Sequence, residues 1–342
     1  MNCPNCAAPA PTGDRFCEEC GADLDPPVIV IGGDQPAAGK ACTKCGGADF
    51  STDGYCEKCG HRRPDPREHV ELIVGAGGGN EATVGISDRG LRHARNEDAL
   101  ALAATGPVRI TVVCDGVSTT HGADDASLTG VRAASAVLAR QIRTGAKPEA
   151  ATRTAVAAAA RAVAGLPRTG AEWPSCTFVS AVVDEESVTA GWLGDCRVYW
   201  LGAEPALLTT DDSWAARMVA AGEMDEAAAY ADRRAHTIVR WLGRDAGDVE
   251  PNVTVIAPSG PGTVLVCSDG LWNYVPEPKD LARAVTGADP LDAARALVER
   301  ALGDGGHDNI TVVLIPFPPA DLAATGTPDQ PPTATDEKDS RT

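Results

Sequence analysis

The sequence predicts an α+β domain preceded by two small cysteine-held modules, and three observations carry that reading. From about residue 81 to 316, runs of β-branched residues alternate with Ala-, Leu-, Arg- and Glu-rich segments of helical spacing. Asp184-Glu185-Glu186-Ser187 reads as a hairpin turn, which makes its flanking strands antiparallel. Of the 12 cysteines, all but Cys114, Cys176, Cys196 and Cys267 fall before residue 60. Paired antiparallel strands with helices gathered in neighbouring runs point to α+β layering rather than to a doubly wound parallel sheet.

The early cysteines form a repeat. Cys3-x2-Cys6 followed by Cys17-x2-Cys20-Gly21 recurs as Cys42-x2-Cys45 followed by Cys56-x2-Cys59-Gly60, with ten residues between the pairs in both copies. The expected units are therefore a module at 1–24, a Pro- and Gly-rich linker at 25–40, a second module at 41–61 and a polar linker at 62–80. The main domain is expected at 81–316. From 317 to 342 the chain turns to Pro, Thr, Ala and Asp without periodicity, which predicts a disordered tail.

Within the main domain, strands are expected at Thr83–Ser87, Val108–Cys114, Thr177–Val183, Val188–Leu193, Arg197–Leu201, Val253–Ala257, Thr263–Cys267 and Asn309–Ile315. Each is a β-branched or apolar run bounded by Gly, Pro or Asp. Helices are expected at Ala123–Arg143, Pro148–Ala164 and Pro290–Leu302, where Val and Leu recur at helical spacing.

Four thiolates satisfy tetrahedral Zn2+ and leave no open position. Cys3, Cys6, Cys17 and Cys20 supply one such set; Cys42, Cys45, Cys56 and Cys59 supply another. Modules this short cannot hold a core without the metal, so two structural Zn2+ are expected in an arrangement that resembles tandem zinc ribbons. Disulfides are the alternative, disfavoured by the unpaired downstream cysteines and by an opening, Met1-Asn2-Cys3-Pro4, that has no basic or apolar leader character.

Charge narrows the partners. Thirty Lys+Arg against 48 Asp+Glu give a formal −18, a balance that repels nucleic-acid phosphates and anionic membranes. Residues 1–69 alone hold seven basic and eleven acidic residues, 7 − 11 = −4, so the modules are expected to dock on protein rather than on nucleic acid. No apolar stretch approaches the roughly 20 residues that span a bilayer. A cytoplasmic setting is the expectation.

The chemistry is expected at acidic motifs placed at element ends: Asn96-Glu97-Asp98, Cys114-Asp115-Gly116, Ser268-Asp269-Gly270 and His307-Asp308-Asn309. An Asp that ends a buried strand points into the cleft where strands terminate, and an adjacent Gly lets the backbone carbonyl approach a cation. Oxygen donors without a thiolate or imidazole set suit Mg2+ or Mn2+. The single cysteines sit in apolar strand contexts and no Cys-x5-Arg loop exists, so no cysteine nucleophile is expected.

Taken in order, Ser87-Asp88-Arg89-Gly90, Asn96-Glu97-Asp98, Cys114-Asp115-Gly116, Gly194-Asp195-Cys196-Arg197-Val198-Tyr199, Ser268-Asp269-Gly270-Leu271-Trp272 and Asp308-Asn309-Ile310-Thr311-Val312-Val313 resemble the type 2C metal-dependent serine/threonine protein phosphatases. The resemblance covers roughly 81–316 and implies an α-β-β-α sandwich with two Mn2+ or Mg2+ ions, and room for a third, at one edge. It implies that Asp115 bridges the ions, that Asp269 and Asp308 complete one, and that Glu97 with the Gly116 carbonyl completes the other. Asp98 is then expected to hold water at the ions, Asp195 with Asp269 to offer the weaker third site, and the stretch around Thr210–His236 to form a mobile flap.

Two departures stand out. The family's phosphate-holding Arg, three residues before Asn-Glu-Asp, is His93 here, flanked by Arg92 and Arg95; these three are the expected substrate-binding residues. The Gly-Gly that usually follows Asp115-Gly116 is replaced by Val117-Ser118-Thr119-Thr120-His121. The resemblance implies hydrolysis of phosphoserine and phosphothreonine in proteins that a Ser/Thr kinase has phosphorylated. The alternative is a pseudophosphatase or metal-dependent interaction module, against which the complete carboxylate set argues.

Overall fold

The computed structural model describes residues 6, 8–9, 16–21, 24, 27–32, 41–42, 44–51, 55–61, 65–75, 81–168 and 170–319. The chain runs β1 (Val28–Ile31), β2 (His69–Val74), β3 (Thr83–Asp88), β4 (Ala99–Thr105), β5 (Val108–Cys114), α1 (Ala123–Arg143) and α2 (Pro148–Ala164). It continues through β6 (Ser175–Cys176), β7 (Phe178–Val183), β8 (Val188–Leu193), β9 (Arg197–Leu201), β10 (Ala206–Leu207), α3 (Trp214–Ala220) and α4 (Glu226–Ala231). Then follow β11 (Leu242–Gly243), β12 (Asn252–Ile256), β13 (Gly262–Cys267), α5 (Asp269–Trp272), α6 (Pro278–Val285), α7 (Pro290–Gly303) and β14 (Ile310–Phe317).

Two antiparallel sheets stack face to face, in the orders β1-β4-β5-β7-β8-β12 and β10-β9-β13-β14-β3-β2. The inner strands read as continuous apolar runs because both of their faces are covered. On β14, Val313 and Ile315 fill the layer between the sheets, while Ile310, Val312 and Leu314 face Leu297 and Val298 of α7. On β5, Val113 points between the sheets, while Ile110, Val112 and Cys114 face Val131, Ala134 and Leu138 of α1. The result is the α-β-β-α sandwich implied by the sequence resemblance.

Residues 184–187 do turn the chain: Asp184 N–H donates to the Ser187 carbonyl at 3.0 Å, and β7 pairs antiparallel with β8. Helices α1 and α2 have the bounds expected of them. Ala99–Thr105 had no expected strand, because its Ala and Leu carry no β-branched signal. Tertiary packing overrides propensity there: Leu100 and Leu102 fill the inter-sheet layer, while small Ala101 and Ala103 let α1 lie close.

The segments expected to be linkers contain strands. Val28–Ile31 pairs with β4, and His69–Val74 pairs with β3 along its whole length. The physical reason lies in the period of two along His69-Val70-Glu71-Leu72-Ile73-Val74: Val70, Leu72 and Val74 are buried between the sheets and Ile73 faces out. At the other end, Phe317 belongs to β14 rather than to a tail, and the rest of the expected tail beyond residue 319 lies outside the described residues. Among the described residues no helix is long and apolar enough to cross a membrane.

If β2 is part of the sandwich, Leu72→Ala should cost about 2–5 kcal/mol in urea unfolding, the usual range for a buried Leu, because Leu72 is only 2% exposed. Ile73→Ala, at a position 46% exposed, should cost about 1 kcal/mol or less. Equal, negligible costs would return the segment to the status of a linker.

Candidate functional site

The acidic motifs converge where strands of both sheets end. Asp98 precedes β4, Asp115 follows β5, Asp195 sits in the β8–β9 turn, Asp269 opens α5 after β13, and Asp308 lies just before β14. Asp98, Asp195, Asp269 and Asp308 all press electrostatically on Asp115. Separations of more than 200 residues in sequence thus collapse into one cluster.

Backbone packing brings them together. Gly270 lies so close to the Asn309 backbone that a Cβ there would sit 1.9 Å from the Asn309 carbonyl oxygen, and at Gly116 it would meet the Ala123 and Glu97 carbonyls at 2.6 and 2.8 Å. Gly116 N–H donates to the Glu97 carbonyl at 3.1 Å. Asn309 ties the loop together: its Oδ1 accepts from Glu97 N–H at 2.7 Å, while its Nδ2 donates to the carbonyls of Arg89 at 2.7 Å and Arg95 at 3.0 Å.

Asp98 is held by a chain of hydroxyls. Its Oδ2 accepts from Ser268 Oγ at 2.8 Å and Thr311 Oγ1 at 2.7 Å. Ser87 Oγ lies 2.9 Å from Thr311 Oγ1 and accepts from Asn96 Nδ2 at 2.9 Å. Ser268, Asn309 and Thr311 lie one to three residues from a key carboxylate, a position that by itself carries no distinct signal in the sequence.

Three other oxygens of the cluster lack partners. Glu97 Oε2, Asp98 Oδ1 and Asp269 Oδ1 are buried without a hydrogen bond, a state that costs several kcal/mol for ionised groups unless a cation meets them. Burial, reinforced by neighbouring carboxylates, raises the Asp98 carboxyl to about 6 and that of Asp195 to about 7, and pushes Asp115 and Asp269 well above the ordinary range. A hard divalent cation satisfies both demands at once. The residues present therefore fit the metals that the resemblance implies.

The expected phosphate-binding residues part company. His93 Nε2 lies 3.1 Å from Asp308 Oδ1, so its imidazole faces the carboxylate cluster. Arg92 is exposed. Arg95, its side chain 62% exposed, pairs with Asp124 at 3.2 Å and lines a cavity of about 370 Å3 with Glu97 and the 118–122 loop. Asp195 is flanked by a buried ion pair: Arg197 makes a bidentate contact to Asp211 at 2.9 and 2.8 Å and stacks 3.7 Å over the Trp272 ring, while Trp272 Nε1 donates to the Asp195 carbonyl at 2.9 Å. The Thr210–His236 stretch folds as α3 and α4 around a small alanine core.

Among the described residues, only the cysteine groups set three or more ligand atoms all within 4.8 Å of one another: Cys42, Cys45, Cys56 and Cys59, and Cys6, Cys17 and Cys20. Cys3 lies outside the described residues. The Cys42–Cys59 and Cys45–Cys56 sulfurs are 3.6 and 3.5 Å apart, close to the edge of about 3.8 Å set by a tetrahedron with 2.3 Å zinc–sulfur bonds. Left-handed Gly46 and Gly60 close the knuckle turns, donating to the Cys42 and Cys56 carbonyls at 2.8 Å. The carboxylate oxygens do not meet that 4.8 Å spacing. Cys114, Cys196 and Cys267 are buried with thiols pushed up by burial, which leaves them inert.

Comparison with known proteins agrees with this fold. The family model described as protein phosphatase 2C matches residues 89–299, and the chain belongs to that family. The double zinc ribbon model matches residues 3–60. The chain is 32% identical over 140 residues to the serine/threonine phosphatase stp of Listeria innocua, a match covering 41% of this chain and 55% of that protein. It is 30% identical to the serine/threonine protein phosphatase PstP of Mycobacterium tuberculosis, over 67% of this chain and 43% of that one. The chain thus spans about half the length of these curated relatives. The crystal structure of the PstP catalytic domain in complex with two manganese ions superposes with a TM-score of 0.55 at 27% identity, covering 72% of this chain and 98% of that one.

Carboxyls raised by burial stabilise the fold while protonated, below their unfolded range near pH 4, and that contribution is lost as pH rises through 6 to 7. In EDTA the melting temperature should therefore fall from pH 5 to pH 8, and Mn2+ should restore it most at the upper end. Asp98→Asn should flatten the fall. Differential scanning calorimetry showing a pH-independent melting temperature in EDTA would contradict this electrostatic account.

Proposed function

We propose that the carboxylate cluster hydrolyses phosphoserine and phosphothreonine in proteins, with two Mn2+ or Mg2+ ions held by Asp115, Asp269, Asp308, Glu97 and the Gly116 carbonyl. Asp195 with Asp269 offers a weaker third position. The observation that carries the reading is the set of buried, partnerless carboxylate oxygens on Glu97, Asp98 and Asp269. When bound, the ions supply a water acidic enough to attack near neutral pH and neutralise the phosphate charge.

The chain's own residues do the positioning. Ser268 and Thr311 fix one oxygen of Asp98 and leave the other aimed at the cluster, where it accepts a proton and orients water. Asn309 holds the Glu97 backbone, so Glu97 keeps its place relative to Asp115. Arg95, on the cavity beside Glu97, offers a planar donor for an outer phosphate oxygen. His93 faces Asp308 and contributes less. Cys114, Cys176, Cys196 and Cys267 of the main domain are all buried, which supports direct attack by water rather than a cysteine phosphoenzyme.

The substrates on this reading are phosphoproteins made by a Ser/Thr protein kinase, in a cytoplasmic setting that keeps the module thiolates reduced. Two structural Zn2+ occupy the cysteine modules, which dock protein partners rather than nucleic acid.

The test is hydrolysis of a phosphothreonine peptide by the full chain. EDTA should abolish turnover and Mn2+ should restore it, while Asp115→Asn and Asp269→Asn should each lower kcat by about 100-fold or more, since each removes charge from the ligand set. Full activity in either variant would sink the two-ion mechanism. A separate expectation concerns recognition: Arg95→Ala should raise KM several-fold at saturating Mn2+ and leave kcat within about twofold, as loss of uniform binding does. An unchanged KM would place the phosphate elsewhere.

A further inference from the structure

The chain on either side of the second cysteine module reaches β4, the strand that follows Glu97 and Asp98. Ahead of the module, Ile31 of β1 pairs with Ala101 of β4, and Gly32 N–H donates to the Leu100 carbonyl at 2.9 Å. Behind it, Arg67 reaches the head of the same strand. Its Nη2 donates to the Asp98 carbonyl at 3.0 Å, and its Nη1 donates to the Asp124 carbonyl at 2.9 Å, at the start of α1. In return, Asn96 Nδ2 donates to the Arg67 carbonyl at 2.9 Å. Within the module, Cys56 N–H donates to the His61 carbonyl at 2.8 Å, so the last knuckle is tied to the chain shortly before Arg67.

This fork spans two walls of the site. One is the Asn96-Glu97-Asp98 segment; the other is the beginning of α1, reached from Asp115-Gly116 through the 117–122 loop. A planar guanidinium that bridges two carbonyls fixes their separation, which a single ammonium does less well. Asp65 Oδ1 accepts from Arg67 N–H at 2.9 Å, and Arg89 N–H donates to the Glu68 carbonyl at 2.8 Å, so the segment that carries Arg67 is itself held. Arg67 lies outside the residues matched by either family model, 3–60 and 89–299. Neither resemblance accounts for it.

We propose that Arg67 is a positioning residue for Glu97 and Asp98, and that the second cysteine module acts on metal binding at the carboxylate cluster through it. With the module's thiolates joined by a metal, the chain on both sides of it is held against β4. With the thiolates released, Arg67 is held from the β2 side alone, and the Glu97-Asp98 segment loosens. The inference rests on the metal-dependent reading above.

The test measures Mn2+ affinity by isothermal titration calorimetry on the full chain, with zinc content measured in parallel and p-nitrophenyl phosphate turnover as a second readout. Wild-type protein that binds no Mn2+ would overturn the functional reading itself, whatever Arg67 does. Given wild-type binding, Arg67→Ala should weaken the Mn2+ Kd by about tenfold or more, the usual effect of removing a group that orients metal ligands. Zinc content should stay unchanged and Arg67→Lys should recover part of the loss. Cys56→Ser, which removes a thiolate from the module, should weaken Mn2+ binding in the same direction, and the double variant should be no weaker than the worse single one. Should Arg67→Ala fail to fold, Arg67→Lys and Cys56→Ser carry the test. A Mn2+ Kd within about twofold of wild type in the folded variants, or losses that simply multiply in the double variant, would overturn the proposal.

Discussion

Like charges gathered in a small, poorly solvated volume set the terms for everything around them. Asp98, Asp195, Asp269 and Asp308 all act on Asp115, and three oxygens of the cluster have no hydrogen-bond partner. Repulsion alone would spread such groups apart. What resists it is neutral and rigid: the Ser268 and Thr311 hydroxyls on Asp98, the Asn309 amide on the Glu97 loop, and glycines that let backbones touch where a side chain would force them apart. The sandwich gives these groups fixed positions because its two sheets are covered on their outer faces by helices and filled between by Val, Leu and Ile. Preorganised charge of this kind favours a small, hard, doubly charged ligand over any side chain.

How much of this was legible depended on which physical signal a residue carries. Strands β5, β7, β8, β9, β13 and β14 announce themselves through β-branched runs, and α1 and α2 through long helical periods bounded by Gly and Pro. Ala99–Thr105 has no such signal, since alanine and leucine favour helices in isolation, and only the packing of α1 on one side and the opposing sheet on the other makes it a strand. The short runs at Val28–Ile31 and His69–Val74 were masked by their Pro- and Gly-rich surroundings, although the second alternates plainly. The carboxylates could be found from their motifs. The hydroxyl and amide groups that hold them could not, because a Ser, Thr or Asn beside an Asp is an ordinary thing, and which neighbour it reaches is decided by strands far apart in sequence.

The modules and the sandwich are interleaved rather than strung in line. A strand of one sheet, β1, precedes the second module and a strand of the other sheet, β2, follows it. That order accounts for Arg67, which lies outside the matched phosphatase segment, being available at the head of β4. It also sets the site apart from one carried on a free-standing domain, because the strands on either side of a cysteine module belong one to each sheet of the sandwich.

The position of β1 at the rim of its sheet has a consequence for how molecules of this protein meet each other. Among the described residues, only β1 covers the open side of β4, a short strand of alanine and leucine with no charge, proline or bulge along Ala99–Thr105 to discourage pairing. Uncovered, its free amides and carbonyls form a template on which an identical strand from another molecule can lie. Keeping four β-branched residues in place upstream of the second module therefore guards the protein against self-association, and lesions there would show themselves as aggregation before they showed themselves as a change in turnover.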